Sequence, residues 1–163
     1  MTKDVVDYFM KVFEDSIKKI STLGSYQIFI VFILSFLFLA MTKEFLILFM
    51  GIILLYTFAV PIRLIFFKER PIPKKFNDVF GRISASSIPS LHSARSTFLL
   101  LFFVYLTKVN VLFTFFASVV VLIVLFSRVY FKKHYVVDVV VGVMLGIFCY
   151  YLANYLIDML FVI

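Results

Sequence analysis

Cysteine, histidine and carboxylates are all scarce in this 163-residue chain, which has one Cys, two His and nine Asp and Glu together. The single thiol, Cys149, argues against disulfides and against a thiolate metal site. It lies inside an apolar run and reads as a small hydrophobe. With only two histidines and few acids, a closed zinc site has no ligand set. Charged residues make up 15% of the sequence, too few for a soluble globular chain of this kind. A cleavable signal peptide is not expected, because the N-terminus is charged and amphipathic and no small-residue cleavage pattern follows the first long apolar run. Neither an internal repeat nor a low-complexity tract interrupts the pattern.

What the chain has in quantity is apolar side chain: 64% hydrophobic residues, 23 Phe, 9 Tyr and a mean hydropathy of +1.11. Apolar runs occupy 26–41, 45–67, 93–107, 109–129 and 135–157. A membrane-crossing helix needs about 20 such residues, so the expectation is an all-α, multi-pass bundle with about five transmembrane helices. The length suits one domain, 1–163. Short links at 42–44 and 107–109 make the helices they join antiparallel neighbours. Gly142 and Gly146 form a small-xxx-small step, read as close packing inside the bundle.

Two segments stand outside this plan. Residues 1–22 place Val5, Phe9, Val12, Phe13, Ile17 and Ile20 on one helical face, opposite Asp4, Asp7, Lys11, Glu14, Asp15 and Lys18. That pattern predicts an amphipathic helix lying in the membrane interface; packing on a neighbouring subunit is the other reading. The segment 71–89 is a long loop containing Pro71, Pro73, Gly81 and Pro89, and its Phe76, Val79, Phe80 and Ile83 point to contact with a membrane surface or lipid chain.

The net charge of +7 is uneven. With five alternating spans, the side holding the N-terminus, 63–95 and 128–134 collects nearly all the Lys and Arg. The other side keeps Lys43 and Lys108. This bias favours a cytoplasmic position for the charged side, although cations that serve a phosphate contribute to it. Cations at membrane boundaries fit anionic lipid rather than nucleic acid. Oligomeric state leaves no mark in the sequence.

Both histidines fall in polar clusters at the ends of apolar runs. Arg63 and Arg70 are seven residues apart, two helical turns, and share a face. Pro89-Ser90-Leu91-His92 stands where a loop enters a helix, a natural phosphate site because free N–H groups and the macrodipole meet there. Ser90 can cap that helix and also donate to a phosphate oxygen. In the third cluster His134 and Asp138 are four apart, so on a helix the carboxylate can accept from one ring nitrogen and leave the other for attack on phosphorus. Arg128 adds a bidentate donor fork. A His–Asp pair also suits a metal, but no third ligand accompanies it.

The three clusters, Arg63 with Arg70-Pro71, then Pro89-Ser90-Leu91-His92, then Ser127-Arg128, five residues, His134, three residues, Asp138, resemble the type 2 phosphatidic acid phosphatase family. Its motif triplet recurs in vanadium haloperoxidases and bacterial acid phosphatases. The resemblance implies phosphoryl transfer without a metal or other cofactor, in a helical bundle whose active site a lipid reaches laterally. By it, His134 is the nucleophile, Asp138 orients it, and His92 is the general acid. Arg63, Arg70, Ser90, Leu91 and Arg128 would hold the phosphate. Two positions depart from the pattern: Arg63 replaces the usual Lys, and Leu91 the usual Gly, which lets backbone approach phosphate closely. The implied substrate is a lipid phosphate, first a polyprenyl diphosphate, alternatively phosphatidate or phosphatidylglycerophosphate. A lipid-phosphate binder or transporter on the same scaffold is the reading from another class.

Overall fold

The computed structural model describes residues 2–162, and they form helices and no strands. In chain order these are α1 (Thr2–Ser21), α2 (Tyr26–Phe38), α3 (Thr42–Ile65), α4 (Val79–Ala85), α5 (Leu91–Leu106), α6 (Val111–Tyr130) and α7 (Val136–Val162), with a single 3-10 turn, Thr22–Gly24, between α1 and α2. The chain is an all-α bundle.

Length separates the helices into two kinds. Thr42–Ile65, Val111–Tyr130 and Val136–Phe161 are long and apolar enough to cross a membrane. A fourth crossing is available if Asp4–Gly24 and Tyr26–Phe38, bent by 50° at their junction, act as one. On length and composition the structure therefore gives three or four spans rather than five. Helix α5 has 16 residues, about 24 Å at 1.5 Å per residue, and falls short of a hydrocarbon layer of about 30 Å. Its place is the centre: α7, α6, α3 and α2 all pack on it.

The packing explains where the glycines stand. A Cβ at Gly142 would collide with the Ser90 carbonyl, and one at Gly146 with the Ala94 carbonyl. Helices α5 and α7 thus meet backbone to backbone, which only small residues permit. The Phe98 ring lies against Gly51 of α3, with Phe29 5.5 Å away between ring centres. Both rings are fully buried.

The N-terminal segment is helical as its periodicity predicts. Its Val5 and Phe9 are exposed, whereas Ile17 is buried and Phe13 packs edge-on against Tyr130 of α6. The 71–89 segment is not wholly a loop. It contains α4, started by Asp78, whose carboxylate accepts from the Gly81 amide at 2.9 Å.

Candidate active site

The C-terminal ends of α3 and α6 and the N-terminal ends of α5 and α7 converge at one end of the bundle around a cavity of about 550 Å³. Arg63, Arg70, His92, Arg95, Arg128 and His134 line it. The three sequence clusters therefore meet in space.

Local structure aims His134. Helix α6 ends in a reversal, with Lys132 in the left-handed region (φ 52°) and the Lys133 and His134 amides both donating to the Arg128 carbonyl, at 3.0 and 3.1 Å. This is the helix-ending pattern in which a left-handed residue satisfies the last carbonyls. It folds His134 back over Arg128. The His134 ring then reaches the Ser87 backbone carbonyl with Nδ1, at 2.7 Å. A carbonyl only accepts, so the proton resides on Nδ1 and Nε2 carries the lone pair.

This geometry corrects the expected His134–Asp138 hydrogen bond. His134 lies in the turn before α7 begins, so helical i, i+4 spacing does not apply. The fully buried Asp138 carboxylate accepts instead from Ser87 Oγ, from Lys68 Nζ at 2.7 Å and from the Tyr135 amide at 2.9 Å. Ser87 is the joint between the two: its carbonyl holds the imidazole and its hydroxyl donates to the carboxylate. Ser87 Oγ also lies 3.3 Å from His134 Nδ1.

Ser90 takes the capping role that its place at the start of α5 predicts. It is fully buried and does not line the cavity. Its Oγ caps α5, accepting from the Ser93 hydroxyl at 2.9 Å and the Ser93 amide at 3.5 Å. Its own amide donates to the Asp138 carbonyl at 3.0 Å. Leu91 is the first residue of α5 and lines the cavity. Glycine's extra backbone freedom is not required in an ordinary helical turn. The first intrahelical amide donor of α5 is Ala94, to the Ser90 carbonyl, so the Leu91 and His92 amides stand ahead of the ladder at the positive end of the helix.

The arginines hold the surrounding chain and still have N–H groups to give. Arg63 donates to the carbonyls of Ile83 (3.0 Å) and Pro89 (2.7 Å), and Arg70 to that of Ser84 (2.7 Å). Together they fasten the α4 segment over the cavity. The Nε atoms of Arg63, Arg70 and Arg128 are buried without hydrogen-bond partners. The three ion pairs among the described residues are Lys18–Asp15, Lys43–Asp158 and Lys68–Asp138, and none involves an arginine. Arg63 and Arg128 are buried guanidinium groups in no ion pair with a carboxylate, and their donor chemistry suits a phosphate.

This field acts on His134. Burial first, then the neighbouring Arg70, Arg63 and Arg128, push its pKa down to about 4, against the opposing pull of the Ser87 carbonyl. The imidazole is therefore neutral at physiological pH and keeps a lone pair on Nε2.

Sequence reasoning overlooked four contributors. Arg95 follows His92 by one helical turn and lies 3.5 Å from its Nδ1, while also donating to Gly24 O and Tyr56 Oη at 3.0 Å each. Its signal was present, since residues three apart share a helix face. Tyr56, Ser87 and Lys68 carry no such signal, because their roles depend on long-range contacts.

Among the described residues no three His, Cys, Asp or Glu side chains gather as metal ligands. A family model described as PAP2 superfamily matches residues 44–161, most of the chain and all three clusters. No curated protein and no solved structure matches the chain. With the matched region running from α3 to α7 and its motifs meeting in one cavity, the chain belongs to the PAP2 superfamily.

Proposed function

We propose that this membrane-embedded protein hydrolyses a phosphate from a lipid through a phosphohistidine at His134. One observation carries the reading: Nδ1 of a buried, neutral imidazole is fixed by a carbonyl, which leaves the Nε2 lone pair free on a ring that lies in the field of Arg70, Arg63 and Arg128.

In the proposed sequence, His134 Nε2 attacks phosphorus and the bond to the leaving oxygen breaks. His92 gives that oxygen a proton. Water then attacks the phosphohistidine, His92 takes its proton, and the P–N bond breaks. Arg63, Arg70 and Arg128 hold the phosphate oxygens and stabilise the charge spread over them in the transition state. Leu91 contributes its amide at the helix start. Asp138 acts on His134 through Ser87.

The substrate proposed first is a polyprenyl diphosphate, with phosphatidate and phosphatidylglycerophosphate as the competing lipids. Phosphate release from a panel of these, with and without a chelator, tests the reading. Release that survives chelation supports it. No release from well-folded protein would leave a lipid-phosphate binder. Loss of activity on chelation would remove the metal-free mechanism. The charge bias favours the cytoplasmic face for the site, although cations that serve a phosphate contribute to it. A cysteine introduced at Asn77 in the 71–89 segment, labelled with an impermeant maleimide, tests that side.

A further inference from the structure

A second chamber shares part of the cavity's wall, and hydrolysis of a simple phosphate ester assigns it no task. This chamber, of about 790 Å³, lies between the end of α1, the 3-10 turn and the start of α2. His92, Arg128 and Lys133 line both chambers, whereas His134 lines only the first. The acid thus stands at the boundary with the nucleophile on one side of it. In an in-line displacement the leaving oxygen departs away from the nucleophile and toward the acid that protonates it. On the roles proposed for His134 and His92, the second chamber falls on the leaving-group side.

Its wall has the chemistry of an anion site. Lys18, Lys133 and Arg128 supply cations, Ser21, Thr22 and Ser25 supply hydroxyls, and no carboxylate lines it. Lys18 has a carboxylate neighbour outside the wall, Asp15 at 3.7 Å. Lys133 makes no ion pair among the described residues. Its ammonium is held below the usual range by burial, then by the like charges of Arg128, Arg70 and Lys18. Arg128 is 3% exposed and its Nε is buried without a partner. Like charges this crowded repel one another until an anion enters.

Beyond the chamber the surface turns apolar. Ile28 lines both the chamber and a groove of about 180 Å³, floored by Leu99 and Phe103 of α5 and walled by Phe113 and Val121 of α6. Cation-lined space followed by apolar groove, on the leaving-group side, describes a leaving group that is a phosphate with a hydrocarbon tail.

We propose, resting on the hydrolase reading above and on the diphosphate put first there, that this chamber is a second phosphate site and that Lys18 and Lys133 are the residues that select a diphosphate over a monophosphate. The terminal phosphorus is attacked in the first chamber. The bond from that phosphorus to the bridging oxygen breaks, its electron pair stays on that oxygen, and His92 supplies the proton. The products of this step are phosphohistidine and a lipid monophosphate, whose phosphate occupies the second chamber and whose tail runs past Ile28 into the groove.

Farnesyl diphosphate and farnesyl monophosphate, which share one tail, provide the test on the full-length protein in nanodiscs. The diphosphate-to-monophosphate ratio of kcat/KM is expected to fall about tenfold in Lys18→Gln and in Lys133→Gln, the scale of losing one charge-assisted contact. A ratio that stays at the wild-type value in both variants overturns the proposal. Binding separates this proposal from the hydrolase reading. A His134→Ala protein is expected to bind the diphosphate more tightly than the monophosphate, and to lose that preference when Lys18→Gln is added. If wild-type protein releases phosphate from no lipid yet this binding preference holds, the hydrolase reading fails and the second phosphate site stands. If hydrolysis proceeds without any diphosphate preference, the second site fails alone.

Discussion

The two histidines of this chain live in different surroundings. His134 is 5% exposed, fixed by a short bond to a backbone carbonyl, and that carbonyl's residue is in turn tied to Asp138 and through it to Lys68. His92 is half-buried on the first turn of α5 and makes one long contact, to Arg95 at 3.5 Å. One ring is locked and the other is held loosely. The difference fits the roles proposed for them. A nucleophile needs one tautomer and one direction of approach, so rigidity serves it. An acid that later acts as a base must release and recover a proton, and a strong fixed partner would hinder both.

The contrast breaks first at His134. His134→Ala is expected to cost roughly 10⁴-fold or more in kcat, the scale for removing a covalent nucleophile. A phosphate-release assay that finds near-normal turnover would reverse the assignment. His92→Ala is expected to cost about 10²- to 10⁴-fold, the range for a general acid. Its loss should shrink on p-nitrophenyl phosphate, whose leaving oxygen needs no proton, while the His134→Ala loss should not. Equal losses on good and poor leaving groups would erase the distinction between the rings.

Ser87→Ala probes the tie behind the locked ring. It removes the hydroxyl to Asp138 but keeps the carbonyl that holds Nδ1, so kcat should fall about 10-fold with KM little changed, the lower end for an outer-shell partner. A loss as large as that of His134→Ala would mean the hydroxyl, not the carbonyl, fixes the imidazole. The smallest effect is in pH. His134 has its pKa lowered to about 4, so its neutral, nucleophilic form persists as pH falls below the ordinary histidine value of about 6.5 and is lost only near the lowered value. The acid limb of kcat/KM should therefore lie well below that ordinary value. A limb at the ordinary value would mean the ring is not held in this field.

Much of this was legible in the residues, and what was not has physical reasons. The apolar runs located α3, α6 and α7 because a helix long enough to cross a membrane writes its length directly into composition. Helix α5 was legible as a helix but not as a short central one, since burial by neighbours and burial by lipid demand the same apolar side chains. Helix α4 was hidden within 71–89. Its seven residues include a glycine and depend on the Asp78 cap and on carbonyls held by Arg63 and Arg70, contacts that no local period records. The three motif clusters gave the site its cations and both imidazoles. The His134–Asp138 spacing misled because helical spacing applies only once the helix has begun, and α7 starts two residues after His134. Ser90 was legible as a cap, but a cap and a phosphate donor call for the same residue, so its position alone did not separate the two.

The contact of α5 with α7 through Gly142 and Gly146 has a mechanical consequence. Two helices that touch backbone to backbone cannot slide or rotate past each other without collision, so they respond to the bilayer as one beam. His92 is carried at one corner of that beam and His134 next to another. A tilt of the pair therefore carries both rings together. The 50° elbow between α1 and α2 lies outside the beam, so a change of angle there leaves the α5–α7 contact untouched.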